Sequence, residues 1–231
     1  FQKLTLSDFR GEVLRRGGTI LGSVNSGDPF DFPMSDGSRK DRSQEIIDGY
    51  KQLGLDALIA IGGDGSLAIL RKLAQQGGWN LVGVPKTIDN DVDLTENAVG
   101  YLTAVDVATE ALDRLQPTAA SHNRVMILEV MGRDHGHVAI NAGIAGGADV
   151  ILIPEIPYDL DHLCAKLDDI RNSEGRTFAL VVVAEGVKPD NDSVETGIGQ
   201  YLCDRLSEKT GAECRVTVLG YTQRGGVPAP R

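Results

Sequence analysis

The chain has 231 residues, of which 41% are hydrophobic and 24% charged, proportions that are ordinary for a soluble globular protein with a substantial core. Its formal net charge of −10 argues against a surface that binds nucleic acid or anionic membranes. The three cysteines show no CxxC spacing and no apolar run reaches roughly 20 residues, so the sequence favours a cytoplasmic protein without a disulfide framework, a zinc site or a membrane span.

Short apolar runs alternate with amphipathic helical patterns along the chain. The runs predict strands at 57–63, 81–85, 124–132, 149–155, 178–186 and 215–220. The patterns between them predict helices at 43–54, 66–76, 102–116, 160–172 and 197–209, and residues 25–38 have the composition of a loop. Continuous apolar runs are typical of parallel strands covered on both faces. The alternation therefore predicts an α/β fold with doubly wound parallel sheets, whose ligands bind beyond the carboxyl ends of the strands.

The stretch IGGDGSLAIL, residues 61–70, has the pattern of a strand, a glycine turn and a helix. Glycines allow close approach of a phosphate, and a helix N-terminus presents free N–H groups to it. Asp64 would then be placed to hold Mg²⁺. A tight turn with Asp64 or Ser66 as helix N-cap explains the same residues equally well.

The stretch GVPKTIDNDVD, residues 83–93, follows another apolar run and contains three aspartates within five residues. Such a cluster suits a site in which Mg²⁺ is shared and one carboxylate takes a proton from a hydroxyl group. A polar turn that caps the next helix would also account for it.

A third strand end, MGRDHGHVA at 131–139, is followed by a Gly/Ala-rich helix and supplies Arg133 as an anion clamp. His135 and His137 suggest a metal site only weakly, because the spacing indicates no third ligand. Four arginines lie at or near predicted strand termini of an acidic protein, which suits a phosphorylated substrate: Arg124, Arg133, Arg215 and Arg224.

Taken together and in this order, the motifs resemble bacterial-type 6-phosphofructokinases. The resemblance spans nearly the whole chain and depends on GGTILGS (17–23), GGDGS (62–66), PKTIDND (85–91), MGRDHGHVA (131–139), VVVAEG (181–186) and LGYTQRGG (219–226). It implies two Rossmann-like lobes: residues 1–100 for the phosphoryl donor, 101–222 for the sugar phosphate, and 223–231 returning to the donor lobe. It also implies that the chain lacks an N-terminal strand and C-terminal helices of the family.

The resemblance implies a role for each matching residue. Asp89 would be the base that takes the proton from the sugar 1-hydroxyl, Arg133 would act on the transferring phosphoryl group, and Asp64 would hold Mg²⁺. The implied donor-binding residues are Gly63, Gly65, Ser66, Lys86 and Asn25. The implied residues for the sugar phosphate are Thr87, Asp91, Arg124, Met131, Gly132, Glu185, Arg215, Tyr221 and Arg224.

The implied reaction is phosphoryl transfer from ATP to fructose 6-phosphate, giving fructose 1,6-bisphosphate in glycolysis. In the family, Arg124 and Arg215 reach in from a neighbouring subunit, which implies a homodimer or homotetramer with shared sites. Gly65 is typical of ATP-dependent members, whereas Lys86 is typical of pyrophosphate-dependent ones, so pyrophosphate is the competing donor. Two further hypotheses are a non-catalytic regulatory subunit and a kinase of another substrate that shares only the GGDG motif.

Overall fold

The computed structural model describes residues 2–23, 27–173, 175–190 and 196–228. The chain divides into two compact units. The smaller unit comprises Gly18–Thr87 and Asp91–Val99, and the larger comprises Phe1–Gly17, Ile88–Asn90 and Gly100–Arg231. The prediction of an α/β fold with parallel sheets is confirmed.

The smaller unit contains two short paired strands, a helix, and then a strand–helix–strand sequence. Its elements are β1 (Phe32–Pro33), β2 (Arg39–Lys40), α1 (Ser43–Gln52), β3 (Leu58–Gly62), α2 (Asp64–Gly77) and β4 (Leu81–Thr87). A further strand, β5 (Val99–Gly100), completes a sheet in the order β3-β4-β5, in which β3 and β4 are parallel. β1 and β2 form an antiparallel pair, part of which falls in the segment predicted to be loop.

The sheet of the smaller unit has one covered face. Helix α2 packs on β3 and β4, and Ala60, on the helix side, is 4% exposed. On the opposite face Ile59, Ile61 and Val82 are 67%, 66% and 60% exposed. The prediction of two covered faces is therefore wrong for β3 and β4, because an unbroken apolar run shows that a strand can be buried but not that a second layer covers it.

The larger unit is built on a four-stranded parallel sheet in the order β7-β8-β6-β9. The strands are β6 (Val125–Val130), β7 (Val150–Leu152), β8 (Ala179–Ala184) and β9 (Cys214–Val218). All residues of β6 and β8 are buried, so both faces are covered here, as predicted. These two strands form the centre of the main hydrophobic core.

The helices of the larger unit are α3 (Tyr101–His122), α4 (His137–Ala145), α5 (Leu160–Asn172) and α6 (Ile198–Thr210). Helix α3 packs with α4, and α5 with α6. Three 3-10 helices, two of them near the N-terminus, are also present: Leu6–Phe9, Gly11–Arg15 and Gly220–Gly225. Among the described residues, none of the helices combines the length and the apolar character that a membrane span requires.

Three predicted helix boundaries are wrong by two residues or more. Helix α1 ends at Gln52 rather than at residue 54. Helix α2 begins at Asp64 rather than at residue 66. Helix α3 continues past Pro117 to His122, although the sequence predicts that it ends at 116. Proline lacks the N–H that would bond to the preceding turn, so a helix usually ends there. In α3, Ala108 and Leu112 before the proline and Ala119 after it are buried, which holds the helix together across Pro117. Ser121 Oγ also donates a hydrogen bond to the carbonyl of Pro117 (2.7 Å).

Candidate active site

The GGDGS motif forms the start of α2 in the smaller unit. Gly63 is the N-cap residue, with no side chain to bond the helix, and Asp64, Gly65 and Ser66 lie in the first turn. The hypothesis that Asp64 or Ser66 is the N-cap is therefore wrong. The first N–H groups of a helix have no partner within it and lie at the positive end of its dipole, so this turn can receive an anion.

The Lys86–Thr87 pair lies beside this turn. Gly62 pairs with Pro85 in the β3–β4 ladder. A Cβ atom added to Gly63 would lie 3.7 Å from the carbonyl oxygen of Lys86 and 3.9 Å from Cβ of Thr87. The structure thus brings together the predicted donor residues 63–66 with Lys86 and Thr87 at the carboxyl ends of adjacent strands. Asn25, the remaining predicted donor residue, lies outside the described residues.

Asp64 offers an oxygen ligand of the kind that Mg²⁺ prefers. Within the described ranges, no cluster of three or more His, Cys, Asp or Glu side chains is present that could hold a metal ion. This fits Mg²⁺, which commonly binds through one or two carboxylates, water and substrate phosphates rather than in a cage made only of protein groups. His135 and His137 belong to no such cluster among the described residues. Their rings stack with centroids 5.8 Å apart, and His135 Nδ1 lies 3.7 Å from Glu155 Oε1.

The aspartate-rich stretch after β4 is a sharp turn. Asn90 and Leu94 have positive φ angles of 55° and 58°, which turn the chain directly after Asp89 and Asp93. Asp89 is half-buried, whereas Asp91 is exposed. Helix α3 begins only at Tyr101, so the hypothesis that these aspartates cap the next helix is wrong.

In the larger unit, residues Met131–Arg133 follow the carboxyl end of β6. Glu185, which follows β8, donates its N–H to the carbonyl of Val130 (2.8 Å), and Gly186 donates to the carbonyl of Gly132 (3.1 Å). A Cβ atom on Gly186 would lie 1.7 Å from the carbonyl oxygen of Arg133, so only glycine fits there. The structure therefore brings the predicted residues Met131, Gly132, Arg133 and Glu185 to one edge of the sheet.

The QRGG turn meets the same edge. Tyr221 and Arg224, both predicted substrate residues, lie in the 3-10 helix Gly220–Gly225, where the Arg224 guanidinium is 5.0 Å from the centre of the Tyr221 ring. Between them Gln223 is completely buried, and its Oε1 accepts a hydrogen bond from the N–H of Met131 (2.7 Å). Sequence reasoning missed Gln223 as an individual residue, although it lies within the motif LGYTQRGG.

Arg124 and Arg215 lie at the opposite edge of this sheet. Arg124 precedes β6, and Arg215 is the second residue of β9. The six residues of β6 separate this edge from Met131 by roughly 20 Å, at about 3.3 Å per residue. The predicted strands 124–132 and 215–220 begin at these same two arginines, so their position at the amino ends of β6 and β9 agrees with the sequence prediction.

Both arginines at the amino edge bind one carboxylate that sequence reasoning missed. Oε1 of Glu213 accepts hydrogen bonds from Nη2 of Arg124 (2.8 Å) and Nη2 of Arg215 (2.5 Å). The hydrogen bond from Arg124 is the main cause that lowers the pKa of Glu213. No pattern in the sequence identifies this carboxylate, since glutamate next to a strand is common.

Curated relatives match most of the chain. ATP-dependent 6-phosphofructokinase 1 of Synechocystis sp. is 60% identical over 229 residues, covering 94% of this chain and 63% of that relative. ATP-dependent 6-phosphofructokinase 1 of a Nostoc strain is 61% identical, covering 94% of this chain and 64% of that relative. The chain thus spans less than two thirds of the length of these curated relatives.

Solved structures match as well. Phosphofructokinase from Saccharomyces cerevisiae has a TM-score of 0.82 at 30% identity, covering 98% of this chain and 32% of that one. Pyrophosphate-dependent phosphofructokinase from Nitrosospira multiformis has a TM-score of 0.71 at 27% identity, covering 79% of this chain and 49% of that one. The family model described as phosphofructokinase matches residues 1–231. On this match along the whole chain, the chain belongs to the phosphofructokinase family.

Proposed function

We propose that the protein transfers a phosphoryl group from ATP to the 1-hydroxyl of fructose 6-phosphate, giving fructose 1,6-bisphosphate. The observation that carries the proposal is the 60% identity, over 94% of the chain, to a relative named as an ATP-dependent 6-phosphofructokinase. The names of the relatives say what those proteins do. For this chain, residues in each of its two units support the proposal of the same activity.

The start of α2 suits a nucleotide donor. Gly65 lies in the first turn, and a Cβ atom added to it would meet no atom within 4 Å. This open space beside Asp64 leaves room for the α-phosphate of a nucleotide, and the N–H groups of the turn and Lys86 supply positive potential for the phosphates that follow. In this proposal the donor residues are Gly63, Gly65, Ser66, Lys86 and Asn25.

Phosphoryl transfer depends mainly on positioning and on charge neutralisation. Asp64 would hold Mg²⁺, and the bound ion would neutralise charge on the donor phosphates. Asp89 would accept the proton of the sugar hydroxyl, and Arg133, whose side chain is largely exposed beyond the β6 edge, would stabilise the transferring group. Thr87, Asp91, Met131, Gly132, Glu185, Tyr221 and Arg224 complete the proposed sugar-phosphate site.

We further propose that Arg124 and Arg215 serve the sugar-phosphate site of a neighbouring subunit in a homodimer or homotetramer. Their separation of roughly 20 Å from Met131 along β6 supports this, since one chain does not bring them to the same edge as Glu185. A cytoplasmic location belongs to the same proposal and is supported by the three cysteines, all of which are free thiols. The division into a donor lobe of 1–100, a sugar-phosphate lobe of 101–222 and a return segment of 223–231 also remains a proposal.

Pyrophosphate is the second candidate donor, favoured by Lys86 beside Gly63. A compact cation at this position suits a small, highly charged donor, whereas glycine at 65 admits the larger nucleotide. The test measures kcat/KM for ATP and for pyrophosphate in the full-length protein and in its variants Gly65→Asp, Gly65→Ala and Lys86→Gly.

We expect the parent to prefer ATP, and Gly65→Asp to lower kcat/KM for ATP by more than about 100-fold, because like charges brought together cost several kcal/mol. The open space at Gly65 means that the fold tolerates the new side chain, and an acidic residue suits the first turn of a helix. Gly65→Ala is the matched control and should retain ATP use. Lys86→Gly should lower turnover without reversing donor preference. A parent that prefers pyrophosphate, or efficient ATP use by Gly65→Asp, would contradict the proposal.

A further inference from the structure

We infer that Gln223 is a positioning residue, whose side-chain carbonyl holds the N–H of Met131 in place of a missing backbone partner and thereby orients the Met131–Arg133 segment. Both residues belong to the larger unit, 92 positions apart in sequence. The consequence for substrate affinity rests on the proposed function, whereas the positioning itself does not.

The need for a substitute partner follows from the end of the β6–β9 ladder. Glu129 pairs with Val218, and the N–H of Leu219 still donates to the carbonyl of Glu129 (3.1 Å). In a regular parallel ladder, the carbonyl of Leu219 would next accept the N–H of Met131. That carbonyl instead accepts the N–H (3.2 Å) and the hydroxyl (2.6 Å) of Thr222, because the chain turns there into a 3-10 helix.

Gln223 replaces the lost acceptor. Its Oε1 lies 2.7 Å from the N of Met131, and the Gln223 side chain is completely buried. A buried N–H without a partner is costly, so the side chain satisfies a group that the turn would otherwise leave unpaired. The Nε2 of Gln223 has no hydrogen-bond partner among the described residues, so in this structure the amide acts through its oxygen.

The turn that presents Gln223 is itself held in place. A Cβ atom on Gly226 would lie 2.6 Å from Cγ2 of Val107 and 2.8 Å from Cγ2 of Thr103, so glycine allows the turn to lie directly on α3. Met131 is therefore tied to α3 through the QRGG turn, while Gly132 is tied to the β8 edge through Gly186. The backbone position of Arg133 is therefore determined by these two anchored residues, which directly precede it.

The test compares Gln223→Met, which keeps the length of the side chain but removes the acceptor, with Gln223→Glu, which keeps an oxygen near the same place. Gln200→Met is the matched control, because Gln200 is exposed on α6 and bonds only to Asp204 on the same helix among the hydrogen bonds described. The full-length proteins are examined by amide hydrogen exchange at Met131, by thermal melting, and by KM for each substrate.

In the parent, the Met131 amide should exchange slowly. Gln223→Met should raise its exchange rate roughly tenfold, as expected for the loss of one hydrogen bond, and Gln223→Glu should keep it slow. Gln223→Met should also raise KM for fructose 6-phosphate about tenfold while leaving KM for ATP within about twofold, because Met131 and Gly132 belong to the proposed sugar-phosphate site and none of the proposed donor-binding residues lies in the displaced segment. Gln200→Met should change none of these.

Several outcomes would overturn the inference. One is unchanged Met131 exchange in Gln223→Met; another is loss of protection in Gln223→Glu equal to that in Gln223→Met. A lower melting temperature with both KM values unchanged would reduce Gln223 to a structural role. If neither variant folds, the parent alone decides, since rapid exchange at Met131 excludes the bond. A parent without kinase activity would refute the proposed function and leave the exchange result valid.

Discussion

The two edges of the four-stranded sheet in the larger unit are built by different means. At the carboxyl edge, Met131–Arg133 is held by backbone hydrogen bonds, by the buried amide of Gln223 and by the absence of a side chain at Gly186. At the amino edge, Arg124 and Arg215 are held by one carboxylate, Glu213, in ion pairs that water can reach. Packed backbone tolerates little displacement, whereas exposed ion pairs are weak and rearrange easily. The backbone of the carboxyl edge is thus held more rigidly than the arginine side chains of the amino edge.

At the carboxyl edge, the largest effect is expected from Gly186→Ala. The new Cβ would lie 1.7 Å from a backbone oxygen of Arg133, so the segment that carries the guanidinium must move. A displacement of about 1 Å at a catalytic group can cost roughly 100-fold in rate. We expect kcat in the full-length protein to fall by about that factor, with a lower melting temperature.

Gly49→Ala provides the control for Gly186→Ala. Gly49 lies within α1, and a Cβ atom there would meet nothing within 4 Å, so this variant should keep its activity and melt no earlier. Near-parental turnover of Gly186→Ala would show that the carboxyl edge is less rigid than the structure indicates.

The next effect concerns the amino edge and the proposed sharing of sites. Arg124→Ala should raise KM for fructose 6-phosphate by roughly 10- to 100-fold, since a hydrogen bond to a charged group contributes about 1.5–3 kcal/mol. Asp89→Asn should lower kcat by about 10²–10⁴-fold with little change in sugar-phosphate affinity. Mixed oligomers of the two variants should regain activity, because some sites then combine an intact Asp89 with an intact Arg124 from the neighbouring subunit.

The control for this mixing is each variant alone, taken through the same dissociation and reassembly. Verified mixed oligomers that show no more activity than either variant alone would mean that Arg124 acts within its own chain. The difference between the two edges would then have no consequence for shared sites.

The smallest effect is expected from Glu213→Gln. This change removes the negative charge that holds both arginines, and KM for fructose 6-phosphate should change by less than about threefold, because exposed ion pairs contribute little. Glu208→Gln, which alters a similar exposed pair with Arg205, is the matched control and should leave KM unchanged. A large rise in KM for Glu213→Gln would show that Glu213 orients the arginines rather than merely neutralising them.

The pH dependence of this pair follows from the lowered pKa of Glu213. A carboxylate whose pKa is lower in the folded than in the unfolded state stabilises the fold above its unfolded pKa, near 4.5, and loses that contribution as pH falls through the folded value. The difference in melting temperature between parent and Glu213→Gln should therefore stay constant between about pH 6 and 8 and shrink below 4.5. A difference that grows on acidification would contradict this linkage.

Much of the fold follows from local patterns. The strands β6 and β8 and the helix α5 are close to their predicted ranges, because unbroken runs of β-branched and aliphatic residues and an aspartate N-cap act over a few neighbouring residues. The positions of the GGDGS and PKTIDND motifs could likewise be predicted, since each directly follows an apolar run and parallel strands end at the same edge of a sheet.

Other features depend on contacts between distant residues, which no local pattern records. The exposure of Ile59 and Ile61 depends on which elements cover the sheet. The continuation of α3 through Pro117 depends on the burial of helix residues on both sides of the proline. The pairing of Gln223 with Met131 and of Glu213 with Arg124 arises only when segments more than 80 positions apart are brought together. The sequence by itself thus determined the elements, the motifs and the family to which they belong. Only the tertiary structure decided which faces are buried, which carboxylate binds Arg124 and Arg215, and which side chain replaces a missing backbone partner, because burial and hydrogen-bond satisfaction are properties of the assembled layers rather than of any one segment.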